Sequence, residues 1–210
     1  MKINWCGDSC FEINCTSRDK ENILIVIDPK EGKKFDKADI VLQTHSKEND
    51  FKTGSQFVIS SCGEYERKGV FIQGIMSFQD DSNIIYTLEV EDVRICHLGY
   101  YKKDSLNEEQ IKEIGNIDVL MVPIEGNKTI NHSEAVKIIS LIQPSIIIPM
   151  CYKKELLEQF LKAMGEKDIE PKDKLSIQKK NINSSEEKAE IAILEEKKNK
   201  KKGRRITTYR

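Results

Sequence analysis

No stretch of this 210-residue chain approaches the roughly 18 consecutive apolar residues of a membrane helix. The longest apolar run, near residues 146–150, is the size of a strand. The opening MKINWCGDSC lacks the basic-then-apolar layout of a secretory leader. Both absences argue against a membrane or exported protein and for a cytoplasmic one. The six cysteines include no C-x-x-C pair, which removes zinc-ribbon spacing, and a chain this long needs no disulfide framework. Reduced thiols packed as small hydrophobes are the expectation. Also missing are a Pro/Gly-rich linker, an internal repeat, a phosphate-cradling glycine loop and an S-x-x-K nucleophile.

Net charge is close to absent too, at a formal −1, but the balance is uneven. From Lys197 to Arg210 there are eight basic residues and no acid, so residues 1–196 carry about −9. The expectation is one acidic domain over 1–196 followed by a disordered, solvated basic tail over 197–210. Eight cations beside Tyr209 would also suit a salt-dependent, sequence-blind contact with nucleic acid, although the acidic body opposes it.

What is present is a change of pattern halfway along the chain. Residues 2–6, 10–15, 22–27, 40–43, 57–60, 70–78, 84–89 and 93–96 are short, β-branched or alternating runs separated by polar punctuation. Asp28-Pro29 closes one of them, residues 33–37 read as a solvated loop, and 80–83 as a hairpin turn. From residue 107 the chain alternates helix and strand. Asn107 and Asn131 each precede a helix, with Gln110 and Glu134 in the capping-box position three residues on. Ala135, Ile138, Ile139 and Ile142 share one helical face. Residues 154–164 form an amphipathic helix stopped by Gly165. The wholly apolar runs at 117–123 and 146–149 predict strands buried on both faces, and 175–178 with 190–194 predict a final hairpin. These patterns imply one α/β domain.

The order of short motifs resembles the metallo-β-lactamase fold, in particular its small stand-alone zinc-dependent hydrolases, relatives of bacterial ascorbate-phosphate lactonases. The matching pieces are KINWCGDSCFEI, ILIVIDP, ADIVLQTHSKEND, SCGEYERKGVFIQGIMSFQDD, VRICHLG and IDVLMVPIEGNKTINHSEAVKIISLIQPSIIIPMCYKK, spanning residues 2–154. The resemblance implies a four-layer αββα sandwich with a dinuclear metal site at the sheet edges. Such a centre lowers the pKa of a bridging water and polarises the bond it attacks. It needs imidazoles and carboxylates on converging strand-end loops.

Those ligands are where this chain departs from the resembling family. Its T-H-x-H-x-D-H loop reads Thr44-His45-Ser46-Lys47-Glu48-Asn49-Asp50 here. His45 keeps the first histidine, while Lys47, Asn49 and Asp50 take the other ligand positions. Asp8 stands for the histidine of the early G-H-S-C-F-like turn, Gln79 for that of the S-Y-H-D-like segment and Cys151 for that of the I-P-M-H-Y-like loop. Tyr100 follows His97-Leu98-Gly99 in place of the bridging aspartate. A lysine ammonium is three donors and no acceptor. Two like unit charges at 4 Å repel by about 4 kcal/mol at an effective dielectric of 20, and a divalent ion fares worse. Lys47 is therefore expected to replace metal charge and to pair with Asp8 or Asp50.

His97 reads as a structural, hydrogen-bonded histidine, His132 as a helix-start residue, and Cys151 as an inert pocket thiol. Gly63-Glu64-Tyr65-Glu66 reads as a turn near the site. The expectation for function is a degenerate hydrolase homologue without cofactor, serving as a non-catalytic binding or scaffolding protein. One alternative is a remodelled hydrolase holding a single ion through His45, Asp50 and Cys151. Another is nucleic-acid association through the tail.

Overall fold

The computed structural model describes residues 1–17, 19–31, 33–45, 56–77, 82–182 and 189–197. Strands β1 (Lys2–Trp5), β2 (Phe11–Thr16), β3 (Asn22–Ile27), β4 (Ile40–Leu42) and β5 (Phe57–Ile59) come first. They are followed by β6 (Gly63–Arg67), β7 (Val70–Met76), β8 (Ile84–Val90) and β9 (Val93–His97). Helix α1 (Glu108–Ile114), β10 (Val119–Pro123), α2 (His132–Ile142), β11 (Ile146–Met150) and α3 (Lys154–Ala163) then alternate, before the short β12 (Leu175–Ser176) and β13 (Glu190–Ile191).

Two mixed sheets result, in the order β12-β1-β2-β3-β4-β5 and β13-β11-β10-β9-β8-β7-β6. The period-2 pattern of the early strands decides which side chains enter the space between them. Ile3, Phe11, Ile13, Ile25 and Ile27 from one sheet meet Ile72, Tyr86, Leu88, Ile95, Met121 and Ile148 from the other. Parallel β10 and β11 are buried along their whole length because α2 and α3 cover their second face. All three described helices lie on the seven-stranded sheet. The outer face of the six-stranded sheet is covered by Phe35 and Ala38 packing on Cys6, Cys10, Val26 and Val41. Two stacked mixed sheets with flanking helices are thus present, as the metallo-β-lactamase fold implies, and the described cover of the six-stranded sheet is a loop rather than a helix.

Three sequence expectations change. The run 175–178 and 190–194 is not a hairpin: β12 pairs with β1 and β13 with β11, in different sheets. Segment 63–66 is edge strand β6 rather than a turn, paired antiparallel with β7; its charged residues suit an exposed edge, which hid it from a hydrophobic pattern. Residues 33–37 are not simply solvated, since Phe35 is buried and Lys33 donates to Cys6 O at 2.7 Å. The hairpin turn expected at 80–83 falls partly outside the described residues.

The capping boxes at Asn107 and Asn131 are both formed. Helix α3 has no side-chain cap, and Lys153 stands at its N-cap. Burial of Phe160, about 1.5–3 kcal/mol, outweighs the cap it lacks, worth about 1 kcal/mol. Helix α2 has both contributions, so Asn131→Ala should lower stability by about 1 kcal/mol, read as a shifted urea midpoint with unchanged slope.

Candidate functional site

Parallel pairing aligns the carboxyl ends of β3, β4, β9, β10 and β11 at one edge of the sandwich. Crevices beyond such ends are where open α/β sheets bind ligands. A cavity of about 820 Å³ opens there, lined by Asp8, Lys30, Glu31, His45, Ser82, Asn83, Tyr100, Lys102, Asn127 and Lys128.

The lining residue His45 is held by a buried carboxylate through Thr44. Asp28, just past β3, sits at φ 47°, a left-handed conformation uncommon for a non-glycine residue. Its Oδ1 accepts from Thr44 N at 2.8 Å and its Oδ2 from Thr44 Oγ1 at 2.6 Å. The hydroxyl proton is thereby committed to Asp28, so Thr44 Oγ1 accepts from His45 Nδ1 at 3.0 Å. This places the Nδ1–H tautomer on His45 and its acceptor lone pair on Nε2. Tyr100 packs on the same ring, with centroids 4.3 Å apart. Burial, then the neighbouring Cys151 and Asp8, pushes the Tyr100 hydroxyl above the ordinary phenol range, so it stays protonated. Ser9 Oγ is buried near it without reaching hydrogen-bond geometry.

Two loops hold this arrangement from behind. Gly99 N–H donates to His97 Nδ1 at 3.0 Å, so the opposite nitrogen carries the proton and donates to Ser9 O at 2.9 Å. Asn83 donates to Leu98 O at 2.9 Å and accepts from Tyr100 N at 2.7 Å. Gly99, at φ 61°, lies so close that a Cβ would strike Asn83 Oδ1 and stand 2.7 Å from Thr44 Cβ. Glycine is needed there for space as well as conformation.

Of the residues expected at the site, Asp8, His45 and Tyr100 line the cavity together. Cys151 is 3% exposed, faces the intersheet core and donates its N–H to Asp8 O at 3.3 Å. Lys47, Asn49, Asp50 and Gln79 lie outside the described residues, as does 198–210 of the basic tail. Lys197, expected to open that tail, is docked on the body: its N–H donates to Trp5 O at 2.8 Å, and Lys33 Nζ donates to its carbonyl at 3.0 Å. Sequence reading missed Lys30, Asn83, Lys102, Asn127 and Lys128. Lys30 stands just after Asp28-Pro29, Asn83 in the 80–83 turn, and Asn127 and Lys128 within a family-like segment, but none carries a local signal that it faces a cavity.

The donor set tests the fit of a metal centre. His45 presents an oriented imidazole, as a metal ligand requires. Lining the same cavity are the carboxylates of Asp8 and Glu31 and a protonated phenol, and among the described residues no three His, Cys, Asp or Glu side chains come together to hold an ion. Among the described residues these donors are too few for a dinuclear zinc site, which needs more imidazoles and carboxylates, and positions 47, 49, 50 and 79 lie outside those residues.

Comparison with known proteins agrees with the architecture. The beta-lactamase superfamily domain family matches residues 2–151. A UPF0173 protein of Pyrococcus abyssi is 27% identical over 187 residues, covering 72% of this chain and 83% of that protein. A UPF0173 metal-dependent hydrolase of Pyrococcus horikoshii is 34% identical over 43% of this chain and 44% of its own. The crystal structure of a metallo-β-lactamase superfamily protein from Thermotoga maritima superposes with a TM-score of 0.74 at 31% identity, covering 92% of this chain and 98% of that one.

The buried histidine behind the cavity sets a pH dependence. Burial holds His97 below the ordinary imidazole pKa, against the opposing pull of Asp28 and the Ser9 carbonyl. In the unfolded chain a histidine titrates near 6.5, so acidification loads protons onto the unfolded state first. The contribution is complete above about pH 6.5 and is lost as the pH falls toward the folded-state pKa. Urea midpoints should therefore drop between about pH 7.5 and 5.5, and His97→Gln should flatten that drop. An unchanged slope in the variant would place the acid sensitivity elsewhere.

Proposed function

This chain belongs to the metallo-β-lactamase superfamily, beside metal-dependent hydrolases, and from that premise we propose that it is a degenerate member without a dinuclear zinc site, acting as a non-catalytic binding or scaffolding protein. The observation that carries the reading is the contact between Tyr100 and His45 at 4.3 Å. In the resembling family the position of Tyr100 belongs to an aspartate bridging two ions. Here a neutral phenol fills it and lies on the one retained ligand histidine. Lys47, at the second histidine position, adds a cation where the family places an imidazole.

The cavity itself supports binding. Its volume of about 820 Å³ falls in the range of small-molecule sites. Lys30, Lys102 and Lys128 line it together with Asp8, Glu31, Asn83 and Asn127. Such a lining suits a polar ligand bearing an anionic group, held by ammonium groups where relatives use metal charge. Lys30 is also tied to Glu196 at 3.3 Å, which holds that residue at the cavity rim.

Metal analysis of protein purified without chelator tests the reading. The expected outcome is well under one zinc per chain, together with no turnover of lactone, phosphodiester or β-lactam probes. One or more tightly held ions per chain, lost in His45→Ala, would replace this reading with a single-ion hydrolase using His45, Asp50 and Cys151.

A further inference from the structure

The register that pairs Trp5 with Phe11 sets Cys6 directly opposite Cys10, the last pair before the turn Gly7-Asp8-Ser9. Cys6 N–H donates to Cys10 O at 2.7 Å and Cys10 N–H to Gly7 O at 3.0 Å. Opposed residues of an antiparallel pair hold their Cα atoms about 4.5–5.5 Å apart, inside the span that a disulfide bridges. Both side chains enter the outer cluster of Val26, Phe35, Ala38 and Val41, and each is 1% exposed. Both are free thiols.

The two sulfurs differ in character. Contact with the Cys10 thiol, helped by the Lys33 and Lys197 ammoniums, holds Cys6 below the ordinary thiol range against the opposing effects of burial and Glu12. The same contact and burial push Cys10 up, so it keeps its proton. Lys33 is fixed beside Cys6 by its 2.7 Å bond to Cys6 O. Two thiols set opposite each other, with the Lys33 ammonium fixed beside Cys6, match the arrangement of an attacking and a resolving cysteine.

We propose that Cys6 and Cys10 form a site of reversible oxidation by small hydroperoxides, closing as a disulfide that grips the turn carrying Asp8. The Cys6 thiolate attacks one peroxide oxygen; the O–O bond breaks, hydroxide leaves and Cys6 becomes a sulfenic acid. The Cys10 sulfur then attacks Cys6 sulfur, the S–S bond forms and the S–O bond breaks. The departing hydroxyl takes the Cys10 proton as water, and the first hydroxide takes the proton that Cys6 gave up. Two thiols lose two electrons, and one hydrogen peroxide becomes two waters.

The turn so gripped is wired into the cavity wall. Asp8 O accepts from Trp5 Nε1 at 2.8 Å and from Cys151 N at 3.3 Å, and Ser9 O accepts from His97. Trp5, the chain's one tryptophan, stacks on Tyr152 with centroids 5.1 Å apart and so reports on the turn. The cover over the thiols is the loop bearing Phe35 and Ala38, outside any regular element, and its local opening admits a small oxidant.

The test uses the full chain with the exposed Cys62 changed to Ser. Hydrogen peroxide should remove two hydrogens from the intact mass and yield a dithiothreitol-reversible Cys6–Cys10 linked peptide, with a change in Trp5 fluorescence. In Cys10→Ser, or Cys10→Ala should the serine variant fold poorly, the linked peptide should vanish and dimedone should trap Cys6 as sulfenic acid. Recovery of Cys6 and Cys10 as unlinked thiols, while other residues oxidise, would overturn the proposal. A disulfide that leaves Trp5 fluorescence unchanged would overturn its coupling to the turn.

Discussion

The neutral ring of His97 is the constraint on which the site depends. It donates from one sheet to Ser9 O on the β1–β2 turn of the other and accepts from Gly99 at its opposite nitrogen. Phe11 meets its face edge-on at 5.7 Å. A charged imidazolium could not accept from Gly99, and would sit fully buried. Neutrality therefore fixes two loops at once: one presents Asp8, the other Tyr100. Tyr86 adds a second tie across the sandwich, its hydroxyl lying 3.2 Å from both Gln43 O and Ile59 O.

Behind the cavity, the supporting residues are held more tightly than the residues that line it. Asp28 still organises the start of the ligand loop through Thr44 and still orients His45. Asp28, Thr44, His97 and Asn83 each meet matched partners there, with Ser9 Oγ the exception, and disturbing them is costly because an orphaned buried group loses about 1–3 kcal/mol or more. The groups facing the cavity carry no such constraint. A phenol, lysines and asparagines can occupy those positions without unsettling the sheets. A binding pocket can thus persist on a fold whose relatives are named metal-dependent hydrolases.

The N-terminal hairpin joins these two regions. Its inner face supplies Trp5 and Phe11 to the core, its turn supplies Asp8 to the cavity, and its outer face supplies Cys6 and Cys10 beneath a loop. A change in the bonding of the outer pair therefore bears on the cavity through only a few residues of backbone.

The strands, the two capped helices and the doubly buried β10 and β11 were legible in the sequence, because burial periodicity and capping are local properties. So was the family, through the order of its motifs. Edge strand β6 was hidden because an exposed edge carries charge instead of alternating apolar residues. The partners of β12 and β13 were hidden because pairing across sheets depends on contacts far apart in the chain. Cavity residues Lys30, Asn83, Lys102, Asn127 and Lys128 belong to loops whose positions are set by the carboxyl ends of five strands, not by local pattern. The sequence by itself determined which segments form most of the strands and helices and to which family the chain belongs. Only the tertiary structure decided that Tyr100 lies on His45, that His97 is neutral and that Cys6 faces Cys10, because each is a contact made when separate strand ends are brought together.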